Sequence, residues 1–238
     1  MKRRITLLLI VFAALHPWAV LAQTHDPGSY PLAIRGEVWI DREPIYGDRV
    51  DQEYPLNKES TARRALQEAS LYFSGMIYGW SFHYDIGERA RGITEDFYIF
   101  EPMGEIHWGD SRLRVTDAEN RETKLRIWAD YQLSEAQQKR MHFWQMGTVR
   151  NVQALGYCSL RGPDPDSDWL GIRNTAVKDA ARSAVREMLR GSERNRPKEA
   201  VGFISLAAFP RFFIDSGRWV TSARFRIQIN EIIPFAAY

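Results

Sequence analysis

The residues most suggestively spaced for chemistry are aromatic. In Trp80-Ser81-Phe82-His83-Tyr84 every second side chain is an aromatic ring. In an extended segment that spacing puts Trp80, Phe82 and Tyr84 on one face. Such a row can floor a groove for sugar rings or for a hydrophobic partner. It serves equally to fill a core, because large aromatic side chains are mostly buried. Trp80, Phe82 and Tyr84 are therefore the candidate ligand-binding residues. Glu95, Asp96, Glu101 and Glu105 follow closely in sequence. Two carboxylates roughly 5–10 Å apart across a cleft would be the apparatus of glycoside hydrolysis.

The other chemistry-bearing residues form incomplete sets. Gly109-Asp110-Ser111 matches the start of the Gly-Asp-Ser-Leu stretch of serine hydrolases, with Arg112 where the Leu would stand. A nucleophilic serine needs a base held by a carboxylate. His142 is the one later histidine and has no Asp-x-x-His beside it, so these residues read as a turn. Asp164-Pro165-Asp166-Ser167-Asp168 has the alternate carboxylates that open a calcium loop. Trp169 and Thr175 stand where the loop's glycine and bidentate glutamate belong. That leaves a weak extracellular calcium site or a solvated loop whose last acid starts the next helix. His25, His83, His107 and His142 contain no i, i+4 pair that would grip zinc. His83 with Asp85, and Glu105 with His107, could meet only on neighbouring strands. No catalytic residue, metal site or cofactor is assigned, and no phosphate-cradling glycine loop occurs.

The elements that must position these residues follow from periodicity. Gly36 to Asp41 alternates as a strand. Ala62, Ala65, Leu66, Ala69, Phe73 and Met76 recur at three- and four-residue spacing, which predicts an amphipathic helix with a narrow, small-residue face. Asn57 or Ser60 can cap it, and Gly75 and Gly79 mark its end. Tyr78 to Ile86 and Thr94 to Phe100 read as strands. Ser111 to Thr116 and Lys124 to Tyr131 form the clearest hairpin, joined by the polar stretch Asp117 to Arg121. Ser134-Glu135-Ala136-Gln137 is a capping box opening a short helix. Val149 to Leu160 is extended, and Leu170 to Arg190 is helical with Ala176, Val177, Ala180, Ala181, Ala184, Val185 and Met188 as its apolar stripe. Ala200 to Phe209 and Trp219 to Ile232 are strands. In the last, Phe225, Ile227 and Ile229 alternate with Arg224, Arg226, Gln228 and Asn230, which predicts one wet face.

Of 238 residues 45% are hydrophobic and 26% charged, with a single cysteine. This is the composition of a globular chain and excludes a disulfide-stapled or disordered one. Cys158 reads as a small buried hydrophobe. Met1-Lys2-Arg3-Arg4 precedes an apolar run from Ile5 to Leu15, and Val20-Leu21-Ala22 has the form of a cleavage site. Residues 1–22 are thus expected to be a signal peptide cut after Ala22, delivering the protein to the periplasm or beyond. Three of the 32 basic residues and none of the 30 acidic ones lie in that segment, so the mature chain carries 29 basic and 30 acidic side chains. No basic block remains to neutralise phosphates, which excludes nucleic acid as a partner. No later stretch has the length of a transmembrane helix.

The predicted fold class is α+β, with two β-α-β-β-like units whose Ala-rich helices pack on antiparallel sheet. The units span 23–147 and 148–238, or form one continuous domain. Each contains a glycine-bearing strand (Gly36, Gly156) and a helix entered through Thr-Ala (Thr61-Ala62, Thr175-Ala176). The stretch from Val152-Gln153-Ala154-Leu155-Gly156 to Ala176-Val177-Lys178-Asp179-Ala180-Ala181-Arg182-Ser183-Ala184 resembles the domain of flagellum-associated and related bacterial envelope lipoproteins. The resemblance covers at most Val149 to Ile232, and the lipidated cysteine of those proteins is missing here. It implies an assembly or surface-structural role with an envelope protein or the cell wall as partner, and it carries no catalytic residues. The alternatives are a module binding a glycan or small ligand, or a hydrolase using carboxylates, at Trp80 to Tyr84.

Overall fold

The computed structural model describes residues 32–44, 54–87, 96–163, 168–192 and 197–234. The expected signal segment, the lead-in to Pro31, His25, Glu95 and the acidic stretch Asp164 to Ser167 lie outside the described residues. In chain order the elements are β1 (Ala33–Asp41), α1 (Lys58–Ile77), β2 (Trp80–Asp85), β3 (Phe97–Pro102), β4 (Leu113–Arg121), β5 (Lys124–Gln132), α2 (Glu135–Phe143), β6 (Arg150–Ser159), α3 (Trp169–Ser192), β7 (Pro197–Leu206), β8 (Arg211–Asp215) and β9 (Arg218–Pro234). All strand pairs are antiparallel. The fold is α+β, as the periodicity predicts.

Two sheets form, ordered β1-β5-β4 and β3-β2-β7-β9-β6, with β8 paired to β9 beside β7. The order β-α-β-β recurs, but the two occurrences use the sheets differently. β6, β7, β8 and β9 share one sheet, whereas β1 joins the small sheet and β2 and β3 join the large one through β7. The glycines differ likewise. Gly36 makes room for the ring of Phe209, which a Cβ would meet at 2.3 Å, whereas Gly156 lies against the backbone of α3.

Helix α1 starts where Asn57 Oδ1 accepts the amide of Ser60 at 2.8 Å. That bond satisfies one of the first-turn donors that no helical carbonyl can reach. Its first half is amphipathic, with Thr61, Ala65, Glu68 and Ala69 buried. Its second half is buried except at Leu71, because it runs between β1 and β5 on one side and β7 on the other. Gly79, at φ +68°, ends the turn beyond it. The last carbonyls of α1 find donors far away in sequence. Trp144 Nε1 donates to Ile77 O at 2.9 Å, and Arg226 Nη2 donates to Met76 O at 3.0 Å and also to Leu206 O.

That last contact revises the expected wet face of β9. Arg224 and Asn230 are exposed, but Arg226 is buried, and desolvation lowers its pKa to about 10. A helix end without its own carbonyl partners is a favourable place for a cation, and this one is supplied by the sheet. The hairpin also differs in detail. Asp117 to Arg121 continues β4, and the chain reverses at Glu122-Thr123, with Glu122 at φ +48°. β4 is an edge strand with its residues mostly exposed, so polar side chains can sit in it without burial cost. The short strand β8 has no counterpart among the sequence expectations. Its two-residue turn, Ser216-Gly217 at φ +49° and +73°, is of the kind that closes tight hairpins. Among the described residues no helix is long and apolar enough to cross a membrane.

Candidate functional site

A cavity of about 230 Å³ lies between α1, α3 and the segment after β3. Helix α1 contributes Gln67, Ser70, Leu71, Ser74 and Gly75, a three- and four-residue spacing that makes one stripe. Helix α3 contributes Leu170, Asn174 and Lys178, each one turn beyond the last. Pro102, Gly104, Glu105 and Ile106 close the third side. This wall is pinned in place: Ser74 Oγ accepts from Ile106 N at 2.8 Å and donates to Ser70 O at 2.7 Å, while Met103 N donates to Gly79 O at 3.0 Å.

Trp80 forms the inner end. Its ring lies over Gly75, where a Cβ would meet Cη2 at 2.6 Å. A Cβ on Gly79 would meet Ile204 O at 2.2 Å. The Gly75-x-x-x-Gly79 spacing therefore seats a ring and a turn. The cavity has one lysine, Lys178, without an ion-pair partner among the described residues. Asn174 Oδ1 is buried and has no hydrogen-bond donor. An orphaned buried acceptor is destabilising by about 1–3 kcal/mol until a donor reaches it. A second, wider cleft shares Gln67 and Leu170 with the cavity and continues the interhelical groove towards Asn57, Arg63 and Arg64. There Arg63 is bonded to Glu59 at 3.0 Å and Arg64 to the Tyr54 hydroxyl at 2.8 Å.

Of the three aromatic candidates, Trp80 alone lines the cavity. Phe82 and Tyr84 are buried in the core, so the row does not floor an open groove. The reason is topological: β2 is an interior strand, and its aromatic face is turned into the core. The Tyr84 hydroxyl donates to Asp96 Oδ2 at 2.5 Å, and burial raises its pKa well above the ordinary tyrosine range, with the Asp96 bond adding to the rise. Asp96 is committed to that bond and to the Gly87 amide, Glu101 is exposed, and Glu105 reaches the cavity.

The remaining sets have local roles. Asp110 Oδ1 accepts the amide and Nε of Arg112 at 2.9 and 3.2 Å, and Oδ2 accepts from Nη2 at 2.8 Å and from the Tyr131 hydroxyl at 3.1 Å. Arg112 continues to Gln137, whose side chain also closes the capping box with Ser134. The arginine in the motif's fourth position thus ties a turn to β5 and α2, and Ser111 is exposed beside it. His83 pairs with Glu199 at 2.8 Å, while His107 Nδ1 accepts the Gly109 amide at 3.1 Å. Among the described residues no three His, Cys, Asp or Glu side chains gather as a metal site. Asp168 Oδ1 accepts the Gly171 amide at 2.6 Å at the start of α3. Cys158 is buried, and burial pushes its thiol pKa up.

The Arg112 bonds hold the Asp110 carboxyl down to about 2, from an ordinary value of 3.8. A carboxyl lowered on folding stabilises the protein above its unfolded pKa, and that contribution fades as pH falls from about 4 through 2. The pair is largely solvent-screened, so its weight is about 1 kcal/mol or less. Asp110→Asn is expected to lower the urea midpoint at pH 7 and to flatten its fall between pH 4 and pH 2. An unchanged acid profile would remove this role for Asp110.

Behind the cavity wall lies a buried ionic cluster that sequence reasoning missed. Arg173, 1% exposed, has its guanidinium carbon 4.1–4.2 Å from the ring centroids of Trp169, Phe212 and Trp219, and 5.3 Å from that of Trp39. Its Nε is 3.8 Å from Glu68 Oε1, and Glu68 accepts from the Tyr72 hydroxyl at 2.6 Å and Trp169 Nε1 at 3.1 Å. Burial, reinforced by Glu68, raises the Tyr72 pKa. A charged residue one turn after Trp169 and one turn before Val177, inside an apolar stripe, was the available signal. Asn174 and Lys178, polar at one-turn spacing from Leu170, were the signal for the cavity.

No solved structure matches the chain. A protein of Treponema pallidum (strain Nichols), described as uncharacterized, is 25% identical over 223 residues, covering 92% of this chain and 90% of its own length. A family model matches residues 24–235, which takes in every described strand and helix and every residue of the cavity. The chain therefore belongs to an uncharacterised protein family, and its candidate site lies wholly within the matched region.

Proposed function

We propose that the protein is exported to the cell envelope and works there by binding rather than by bond-breaking, with the cavity between α1 and α3 as its ligand site. The observation that carries this reading is the convergence, in one small cavity, of Trp80, Asn174 and Lys178, the last without an ion-pair partner among the described residues. Apolar surface combined with a few convergent polar groups is the usual make-up of a ligand pocket. Export is supported by the signal-like pattern of residues 1–22 and by the start of the family match at residue 24, just beyond the expected cut.

Two measurements test it. N-terminal sequencing of the protein recovered from cell envelopes should begin at Gln23; retention of Met1 on a cytosolic product would remove the export half. Calorimetric or NMR titration of the mature chain with monosaccharides and amino acids should show saturable binding. Leu71→Trp, which fills the cavity from the face of α1, should abolish it with the far-UV spectrum unchanged. Binding indifferent to that substitution would place the ligand elsewhere.

A second reading, contact with another envelope protein, is favoured by Leu155, Tyr157 and Phe213, which stand exposed around Val220 on the sheet face away from α3. It accords with the assembly role that the resemblance of the β6–α3 stretch implies. Photo-crosslinking from position 213 in intact cells should then give one discrete adduct with an envelope protein, lost on Tyr157→Lys.

A further inference from the structure

We infer that the cavity takes a small zwitterion of the amino-acid class, an inference that rests on the binding reading above. Its charged lining consists of one cation and one anion, Lys178 on α3 and Glu105 on the wall after β3. Neither has an ion-pair partner among the described residues. Asn174 adds a polar residue to the same lining. Trp80, Ile106 and Leu170 supply the apolar surface.

Each feature selects against other ligand classes. A dianion would meet one lysine and be repelled by the glutamate. A dication would meet the reverse. A neutral sugar would offer donors to Asn174 but would leave both charges to solvent. A molecule with a carboxylate for Lys178, an ammonium for Glu105 and an apolar side chain against Trp80 answers both charges and the apolar surface. A volume of about 230 Å³ lies below the range of drug-sized pockets, roughly 300–1,000 Å³, and suits a single such molecule better than an oligomer.

The test is a set of ligand–protein cycles on the mature full-length chain, read by calorimetry. The common L-amino acids are titrated first, and the tightest binder is then compared with its methyl ester and its N-acetyl derivative. Each modification should weaken binding to the unaltered protein by about tenfold or more, the effect of losing one charge-assisted hydrogen bond. In Lys178→Met the free acid and the ester should bind alike, and in Glu105→Gln the free amine and the N-acetyl derivative should bind alike. Both substitutions are at polar wall positions, and chemical denaturation checks that the fold is kept. If a monosaccharide binds instead, is blocked by Leu71→Trp and is indifferent to both charge substitutions, the zwitterion inference falls while the binding reading stands. If neither amino acids nor monosaccharides bind, both fall.

Discussion

Gly156→Ala is expected to lower the stability of the protein by about 3 kcal/mol or more, and Gly156→Val to prevent folding. A Cβ at position 156 would lie 2.1 Å from Ala180 N, 2.3 Å from Ala176 O and 2.7 Å from Ala180 Cα. These are backbone atoms of a helix, so no side chain can rotate away to make room. Relief requires lifting α3 off the sheet or peeling β6 from it. The first would open the layer filled by Ala176, Ala180 and Ala184, all fully buried. The second would loosen the pairing of β6 with β9, its one partner strand among the described residues. Overpacking that flexible side chains can absorb is usually destabilising by about 1–3 kcal/mol, and rigid backbone puts this site at the upper end. Urea denaturation followed by circular dichroism measures it. Gly147→Ala, where an added Cβ would meet nothing within 4 Å, is the matched control and should leave the midpoint unchanged. Equal midpoints for both variants would mean that α3 does not ride on Gly156 in solution.

The second large effect is expected at Glu68. Glu68→Ala removes the carboxylate that pairs with Arg173 among the described residues and also the acceptor for Tyr72 and Trp169. Breaking a buried ion pair from one side is destabilising by about 3–5 kcal/mol, because the surviving charge remains desolvated. The aromatic rings around Arg173 offset part of this, since each close ring face attracts a guanidinium by about 0.5–2 kcal/mol. Pairing Arg173→Met with Glu68→Gln should recover most of the loss. The charge is then gone from both sides, while the glutamine oxygen still accepts a hydrogen bond. Double-mutant denaturation cycles check the recovery. A double variant no more stable than Glu68→Ala would show that the aromatic–guanidinium contacts, and not the ion pair, carry the energy of this cluster.

Much of the element pattern was legible because its causes are local. The cap at Asn57, the capping box at Ser134 and the polar–apolar alternation of β5 each depend on residues within a few positions of one another. β8 escaped notice because five residues with one partner strand leave little periodicity, although Ser216-Gly217 marked the turn. The polar run Asp117 to Arg121 reads as a turn because composition alone does not distinguish a loop from an exposed edge strand.

The candidate site was legible only in part, for the opposite reason. Trp80 stood out by type and spacing, but whether its ring met a core or a cavity depended on Gly75, Leu206 and the loop after β3. Lys178 and Asn174 became neighbours of Gln67 and Ser70 only through the packing of α3 beside α1, about a hundred residues away in the chain. Arg226 shows the same limit: its alternation with Phe225 and Ile227 promised solvent, and the end of α1 claimed it.

Apart from β8, the order of helices and strands and the α+β class were thus determined by the sequence alone, since hydrogen-bonded caps and side-chain periodicity act over a turn or a pleat. Which aromatic faces a cavity, which charge lies in the core, and which glycine carries a helix were decided by the tertiary structure. Burial is a property of the surfaces that distant elements press together, and no local pattern contains it.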